Sequence, residues 1–154
     1  MRPEVRAAVL SLYSDVQREI DQRRPLCVSS GKCCRFEEYG HRLFVTTIEI
    51  GTFLHQLGSE LTAIEAKAPK SSLPVFSPEP GCPFQVDKLC SVHAIRPFGC
   101  RMFFCDATST DWQNEQYEQF HARLKRLHET LSVPYFYVEW GKALSECRIS
   151  PKNL

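Results

Sequence analysis

Apolar side chains recur every three or four positions near the start of the chain, which predicts an amphipathic helix over residues 3–23. Pro3 suits the first turn of a helix, because the N–H that proline lacks has no helical partner there. The sequence Arg-Arg-Pro at positions 23–25 predicts the end of this helix, since a residue before proline disfavours the helical conformation. The stripe that we expect to be buried consists of Val5, Val9, Leu12, Val16 and Ile20.

A second helical pattern follows a short predicted strand over residues 42–45. Thr46 and Glu49 fit a capping box, in which the first residue precedes the helix and the second bonds back to its backbone N–H. Gly58 predicts the end of this helix, because glycine readily adopts the left-handed conformation found there. Residues 59–68 are expected to add another helix, and the proline-rich residues 69–81 to form a loop.

The last third of the chain predicts another long helix and then an aromatic extended piece with a final short helix. Asp111 is placed to cap the long helix. The chain is therefore expected to form a small, mainly α domain spanning residues 1–154, with a C-terminal helical extension over residues 106–154. The apolar stripe of the long helix consists of Trp112, Tyr117, Phe120, Leu124, Leu127 and Leu131.

Composition and charge exclude several classes of protein. With 154 residues, 43% of them hydrophobic, the chain can bury an ordinary core without disulfides to hold it together. A net charge of +1 lacks the basic excess of nucleic-acid and membrane-surface binders. The first 20 residues contain no uninterrupted apolar run, so we expect no signal peptide, no membrane span and a cytoplasmic location. In that reducing compartment, eight cysteines indicate metal ligands or catalytic thiols.

Seven of the eight cysteines fall into two groups separated by a helical stretch, and Cys147 stands alone. Such an arrangement predicts one site assembled from two irregular loops, with a motif core over residues 27–105. Thiolate is a soft ligand that suits zinc, iron and iron–sulfur clusters. The predicted metal ligands are Cys27, Cys33, Cys34, Cys82, Cys90, Cys100 and Cys105.

The adjacent pair Cys33 and Cys34 bears on which metal is bound. In an extended chain the two side chains point to opposite faces, so both reach one ion only if the backbone turns sharply. Gly31 permits such a turn, whereas a [4Fe–4S] cluster or a pair of metals accommodates both thiols more easily. Zinc, iron and an iron–sulfur cluster all remain open, with a mild preference for the larger site. Arg96 and Arg101 are placed to offset the negative charge of the thiolates.

The cysteine motifs resemble those of the YkgJ-type cysteine-cluster family, described as a zinc- or iron-chelating domain. The usual CxxCGxCC motif of that family corresponds to CVSSGKCC at positions 27–34. Its CPF, C-x-x-Y/H and RP-x-x-CR motifs correspond to residues 82–84, 90–93 and 96–101. The resemblance implies metal chelation through these cysteines. Ser30 stands where the family has its second cysteine, which implies that Cys105 or a water replaces that ligand.

Two enzymatic functions are alternatives to metal chelation. Some relatives in that family are linked to flagellin lysine N-methylases, but the chain has no glycine-rich nucleotide fingerprint for S-adenosylmethionine. A thiol-redox enzyme would favour a CxxC pair, which is absent. A nucleophilic Cys90 assisted by His93 would not need six further clustered thiols. The expected partner is therefore a metal ion or cluster, with neither nucleic acid nor membrane involved and any protein partner left open.

Overall fold

The three-dimensional structure is a computed structural model that describes residues 1–27, 30–67 and 81–147, with residue 37 and residues 60–67 described in backbone only. Within these ranges, helices make up most of the chain, as predicted from the sequence. The three long ones are α1 (Pro3–Arg23), α3 (Thr47–Lys67) and α5 (Thr110–Thr130). Most of the predicted 69–81 loop lies outside the described residues. None of the helices in the described ranges is both long and apolar enough to cross a membrane.

Short elements connect the long helices and carry most of the cysteines. The helical ones are α2 (Phe36–Tyr39), α4 (Phe98–Arg101), α6 (Trp140–Glu146) and the 3-10 turns Lys32–Cys34, His93–Ile95 and Ala107–Ser109. Strand β1 (Phe44–Thr46) pairs antiparallel with β4 (Tyr137–Glu139). Strand β2 (Gln85–Val86) forms a hairpin with β3 (Leu89–Cys90). The aromatic extended piece and the final helix expected from the sequence are thus both present.

The core has two parts, and the cysteines border one of them. The first part joins α1 with α5 and α4, and it buries the predicted stripe of α1 except for the partly buried Ile20. The second part lies between α3, β1, α6 and the cysteine loops, with Phe53, Phe84 and Trp140 at its centre. Cys34 and Cys82 belong to this second part. Two of the predicted ligands are therefore embedded in apolar packing.

Two predicted helix boundaries are wrong. Helix α3 does not end at Gly58 but continues to Lys67, so the separate helix expected over residues 59–68 is its continuation. Glycine inside a helix costs only about 1 kcal/mol relative to alanine, which does not force a helix to end. Asp111 does not cap α5, because that helix already begins at Thr110. Asp106 instead accepts a hydrogen bond from the N–H of Thr108 and caps the preceding turn.

The carboxylate of Glu49 is buried and joins three helices. Its Oε2 accepts hydrogen bonds from the backbone N–H and the hydroxyl of Thr46, each at 2.9 Å. The bond from the backbone N–H is one of the two that define the predicted capping box. Its Oε1 accepts from the hydroxyl of Tyr13 in α1 at 3.2 Å and from the N–H of Phe98 at 2.9 Å. Since Phe98 begins the short helix α4, Glu49 fixes the turn that contains Cys100. Burial raises the pKa of Glu49 above its usual value.

Candidate metal centre

A tight turn brings the thiols of Cys33 and Cys34 to the same side of the backbone. Gly31 adopts the left-handed conformation with φ of +71°, and the 3-10 turn Lys32–Cys34 follows directly. The two sulfur atoms lie 3.9 Å apart. Sulfurs at the usual 2.3 Å from a tetrahedral zinc ion are about 3.8 Å apart, so this spacing matches one edge of such a site. The sharp turn that a single small ion would require is therefore present, so the adjacent pair is compatible with one ion as well as with a larger site.

The hairpin of β2 and β3 packs directly against this turn. The N–H of Cys82 donates to the carbonyl oxygen of Cys34 at 2.8 Å. The side-chain amide of Gln85 donates to the carbonyl oxygen of Gly31, also at 2.8 Å. Gln85 pairs with Cys90 across the hairpin, which places Cys90 on the same side of the site. These contacts join the two groups of cysteines that lie far apart in the sequence.

Cys34 is the centre of the thiol cluster. Its sulfur lies 3.9 Å from that of Cys33, and the thiols of Cys82 and Cys90 are near enough to raise its pKa. Cys100 reaches the same cluster from α4, since its thiol interacts electrostatically with Cys33, Cys82 and Cys90. The structure therefore brings together five of the seven predicted ligands, and each of the five is buried or half-buried. They are Cys33, Cys34, Cys82, Cys90 and Cys100.

The thiols of the cluster differ in pKa because several sulfurs share the proton of Cys34. Hydrogen bonding from Cys34 lowers the pKa of Cys33 to about 6 and that of Cys90 to about 7. It also lowers the pKa of Cys82. The same hydrogen bonds with these three neighbours raise the pKa of Cys34 itself. Negative charge therefore gathers on the sulfurs around Cys34, which is the condition that a bound cation would satisfy.

Cys100 shows the opposite response to the same negative charge. Burial raises the pKa of its thiol first, and the thiolates of Cys82 and Cys90 raise it further. A thiol in this position stays protonated in the absence of a cation. Because a metal ion favours thiolate over thiol, metal binding is expected to displace the proton of Cys100.

Buried N–H groups next to the cluster complete its surroundings. Arg96 lowers the pKa values of Cys33 and Cys90 through its positive charge. The indole N–H of Trp140 lies near Cys82 and lowers the pKa of that thiol. Neither Arg96 Nε nor Trp140 Nε1 makes a hydrogen bond of standard geometry to any described residue, although both atoms are buried. Metal-bound thiolates accept such bonds well, so these donors fit a thiolate metal site.

The other two predicted ligands, Cys27 and Cys105, lie at an exposed edge of the molecule. Cys105 Sγ is 3.6 Å from the hydroxyl oxygen of Ser30. Cys105 therefore occupies the neighbourhood of the position where the resembled family has its second cysteine. The isolated thiol of Cys147 is also exposed and directly follows α6.

Hydrogen bonding between thiols sets the positions of these side chains. The side chains do not form a closed coordination shell. In the described part of the chain, no group of three or more His, Cys, Asp or Glu side chains has the arrangement needed to hold a metal ion. The donor set nevertheless fits a soft cation, because several thiols cluster around Cys34, and the guanidinium of Arg96 and the N–H of Trp140 lie beside other thiols of the cluster. Trp140 and Glu49 were missed as contributors to the site, since only the folded chain brings them near the cysteines.

Comparison with known proteins adds no family assignment. No protein-family model matches the chain, and neither the curated proteins nor the solved structures contain a match. The resemblance to the YkgJ-type family therefore stays a prediction based on the cysteine motifs, and so does the link to methylases.

Replacing Gly31 by alanine is expected to abolish metal binding. A Cβ there would lie 2.9 Å from the carbonyl oxygen of Lys88 and would also strike the side chain of Gln85, forcing the hairpin away from the turn. Gly40→Ala is the matched control, because Gly40 has a similar φ of +64° but nothing within 4 Å of an added Cβ. Each variant should lose about 1 kcal/mol to left-handed strain. Zinc titration followed by thermal melting would measure the affinity of each variant. Wild-type affinity in both variants would contradict the expected loss of binding in Gly31→Ala.

Proposed function

We propose that the protein binds a single soft metal ion, zinc or iron, through the thiolates of Cys33, Cys34, Cys82 and Cys90. The 3.9 Å spacing of the Cys33 and Cys34 sulfurs, with Cys82 and Cys90 near enough to raise the pKa of Cys34, carries this proposal. Four clustered thiols supply the number of ligands found in the thiolate-rich shell of structural zinc sites. Cys100 adds a fifth sulfur beside them, which suffices to replace one ligand or to help hold an iron–sulfur cluster.

Charge balance supports this choice of ligands. Four thiolates around a divalent ion leave a net charge of about −2, which is unfavourable in a buried site. The guanidinium of Arg96 offsets part of that charge, and the N–H of Trp140 stabilises the sulfur of Cys82. Zinc would act here through charge and geometry alone, whereas iron would add redox chemistry. Reduced thiols are required in either case, which is consistent with a cytoplasmic location.

Dithiol redox chemistry is the second candidate function. The 3.9 Å distance between the sulfurs of Cys33 and Cys34, together with the lowered pKa of Cys33, favours it. Closing that pair into a disulfide would release two electrons and two protons to an oxidant such as another disulfide. Adjacent Cα atoms are only about 3.8 Å apart, however, whereas disulfides usually join Cα atoms about 4.4–6.8 Å apart. Metal binding therefore fits the turn better than a disulfide does.

Alkylation of the cysteines with and without zinc tests the proposal. In reduced protein saturated with zinc, Cys33 should become at least about tenfold slower to alkylate, because a metal-bound thiolate is a poor nucleophile. A chelator should restore its reactivity, and mass spectrometry would read each cysteine separately. The exposed Cys147 serves as the internal control and should react equally in both states. The proposal fails if zinc leaves the rate at Cys33 unchanged.

A further inference from the structure

The exposed thiols of Cys27 and Cys105 lie on two chain segments that run alongside each other. The N–H of Leu26 donates to Oδ2 of Asp106 at 3.1 Å, which holds the residues next to these two cysteines together. The hydroxyl of Ser30 then meets the sulfur of Cys105 at 3.6 Å. Cys27 and Cys105, named here the outer thiol pair, are thus brought to one edge of the molecule by two independent contacts.

The same two segments continue from the outer thiol pair to the buried cluster. His41 connects them, because its Nε2 lies 3.3 Å from the carbonyl oxygen of Cys33. The ring of His41 also stacks on Phe103, two residues before Cys105, with centroids 4.3 Å apart. Ser30 and the turn of Cys33 are joined in addition by the N–H of Lys32, which lies 3.4 Å from the Ser30 hydroxyl. Cys33, which is half-buried like Cys90 and Cys100, is the cluster thiol whose backbone these contacts reach.

Charges of both signs lie at the outer edge. Lys32 Nζ and the guanidinium carbon of Arg35 lie 5.1 Å and 5.0 Å from the ring centroid of Tyr39. Tyr39 is close enough to Cys105 to interact with it electrostatically. Glu38 pairs with Arg35 at 2.8 Å, and the carboxylate of Asp106 directly follows Cys105, so the two carboxylates balance the two cations. Recognition at this edge therefore rests on the two thiols, which can exchange with the thiolate ligands of a soft metal ion that arrives already bound.

We propose that the outer thiol pair receives a soft metal ion from a metal–thiolate complex and passes it to Cys33. The inference rests on the proposed metal site and assigns Cys27 and Cys105 a role in loading it. Each step is a ligand exchange: a cysteine thiolate forms a bond to the metal as one donor thiolate leaves. The departing donor takes up the proton that the cysteine releases, and no electron changes hands. At equilibrium the metal rests on the buried cluster and the outer thiols are free again.

Loading from zinc held by excess glutathione tests the proposal, with the double variant Cys27→Ser/Cys105→Ser compared with Cys147→Ser. All three positions are exposed, so serine should leave the fold intact. The double variant should load at least about tenfold more slowly, since both exchange ligands are lost, while its final zinc content and affinity stay at the wild-type level. Cys147→Ser should load at the wild-type rate.

Two results would overturn the inference while leaving the metal site standing. An unchanged loading rate would show that the outer pair takes no part in transfer. A lower final zinc content in the double variant would show that Cys27 and Cys105 are permanent ligands of the site. Failure of the wild-type protein to take zinc from either glutathione or the free ion would instead refute the metal site itself, and the transfer with it.

Discussion

Replacing Cys34 by serine is expected to abolish tight metal binding and to remove the stability that the metal adds. Cys33, Cys82 and Cys90 all raise the pKa of the Cys34 thiol, which places it among them, so its loss opens the cluster at its centre. At a free zinc concentration about 1,000 times the Kd, binding stabilises the folded state by about 4 kcal/mol. For a domain of this size that corresponds to a change in Tm of about 8–16 °C. Thermal melting in zinc-buffered solution, with metal content measured in parallel, would detect it.

The apo-protein separates this loss from an ordinary packing defect. Serine has nearly the shape of cysteine, so with a strong chelator present Cys34→Ser and wild type should melt within a few degrees of each other. Cys147→Ser is the matched control, because it removes an exposed thiol outside the cluster, and it should keep both metal and Tm. A Cys34→Ser variant with wild-type metal content and wild-type Tm in zinc would contradict the central place of Cys34.

Glu49→Gln is expected to have the second largest effect, at about 3 kcal/mol of folding stability. The buried carboxylate accepts four hydrogen bonds, two on each oxygen. A glutamine keeps one oxygen and turns an NH2 group toward the other two donors. Each buried donor left without an acceptor costs about 1–3 kcal/mol. Urea denaturation of the two proteins would measure the difference.

Glu139→Gln provides the comparison for that variant. Glu139 also caps a helix, accepting from the N–H groups of Gly141 at 2.9 Å and Lys142 at 2.8 Å, but it is only partly buried. Water can accept the hydrogen bond that the new amide group cannot accept, so the loss of folding stability should stay below about 1 kcal/mol. Because Glu49 also fixes the turn containing Cys100, Glu49→Gln should additionally speed alkylation of Cys100. Equal stability losses in the two variants would show that burial of Glu49 does not matter.

Local signals predicted the elements that depend only on neighbouring residues. The period of apolar positions and Pro3 predicted α1 to the residue, and the structure agrees. Gly31 indicated that the chain can turn sharply before Cys33, which it does. The limits of such signals appear at Gly58, where an apparent helix end lies inside α3. A glycine permits a helix end, but the energy of one residue is too small to require it.

Contacts between distant segments could not be predicted in the same way. The indole of Trp140 reaches Cys82 only because β4 pairs with β1 and places α6 over the cysteine loops. Glu49 had a recognisable role at the start of α3, yet its bonds to Tyr13 and Phe98 depend on how three helices pack. The spacing of the cysteines indicated a shared site. Which of these cysteines form the buried cluster and which form the exposed pair depends on packing alone.

Metal and acid-labile sulfide content, measured on protein purified without oxygen, tests the central claim most directly. The expected result is about one zinc or iron ion per chain, bound tightly enough to survive gel filtration and lost in Cys34→Ser. Sulfide in a ratio matching the iron would identify that iron as part of a cluster on the same thiols. Protein that contains no metal as purified and takes up none when zinc is added to the reduced chain would contradict a thiolate metal site.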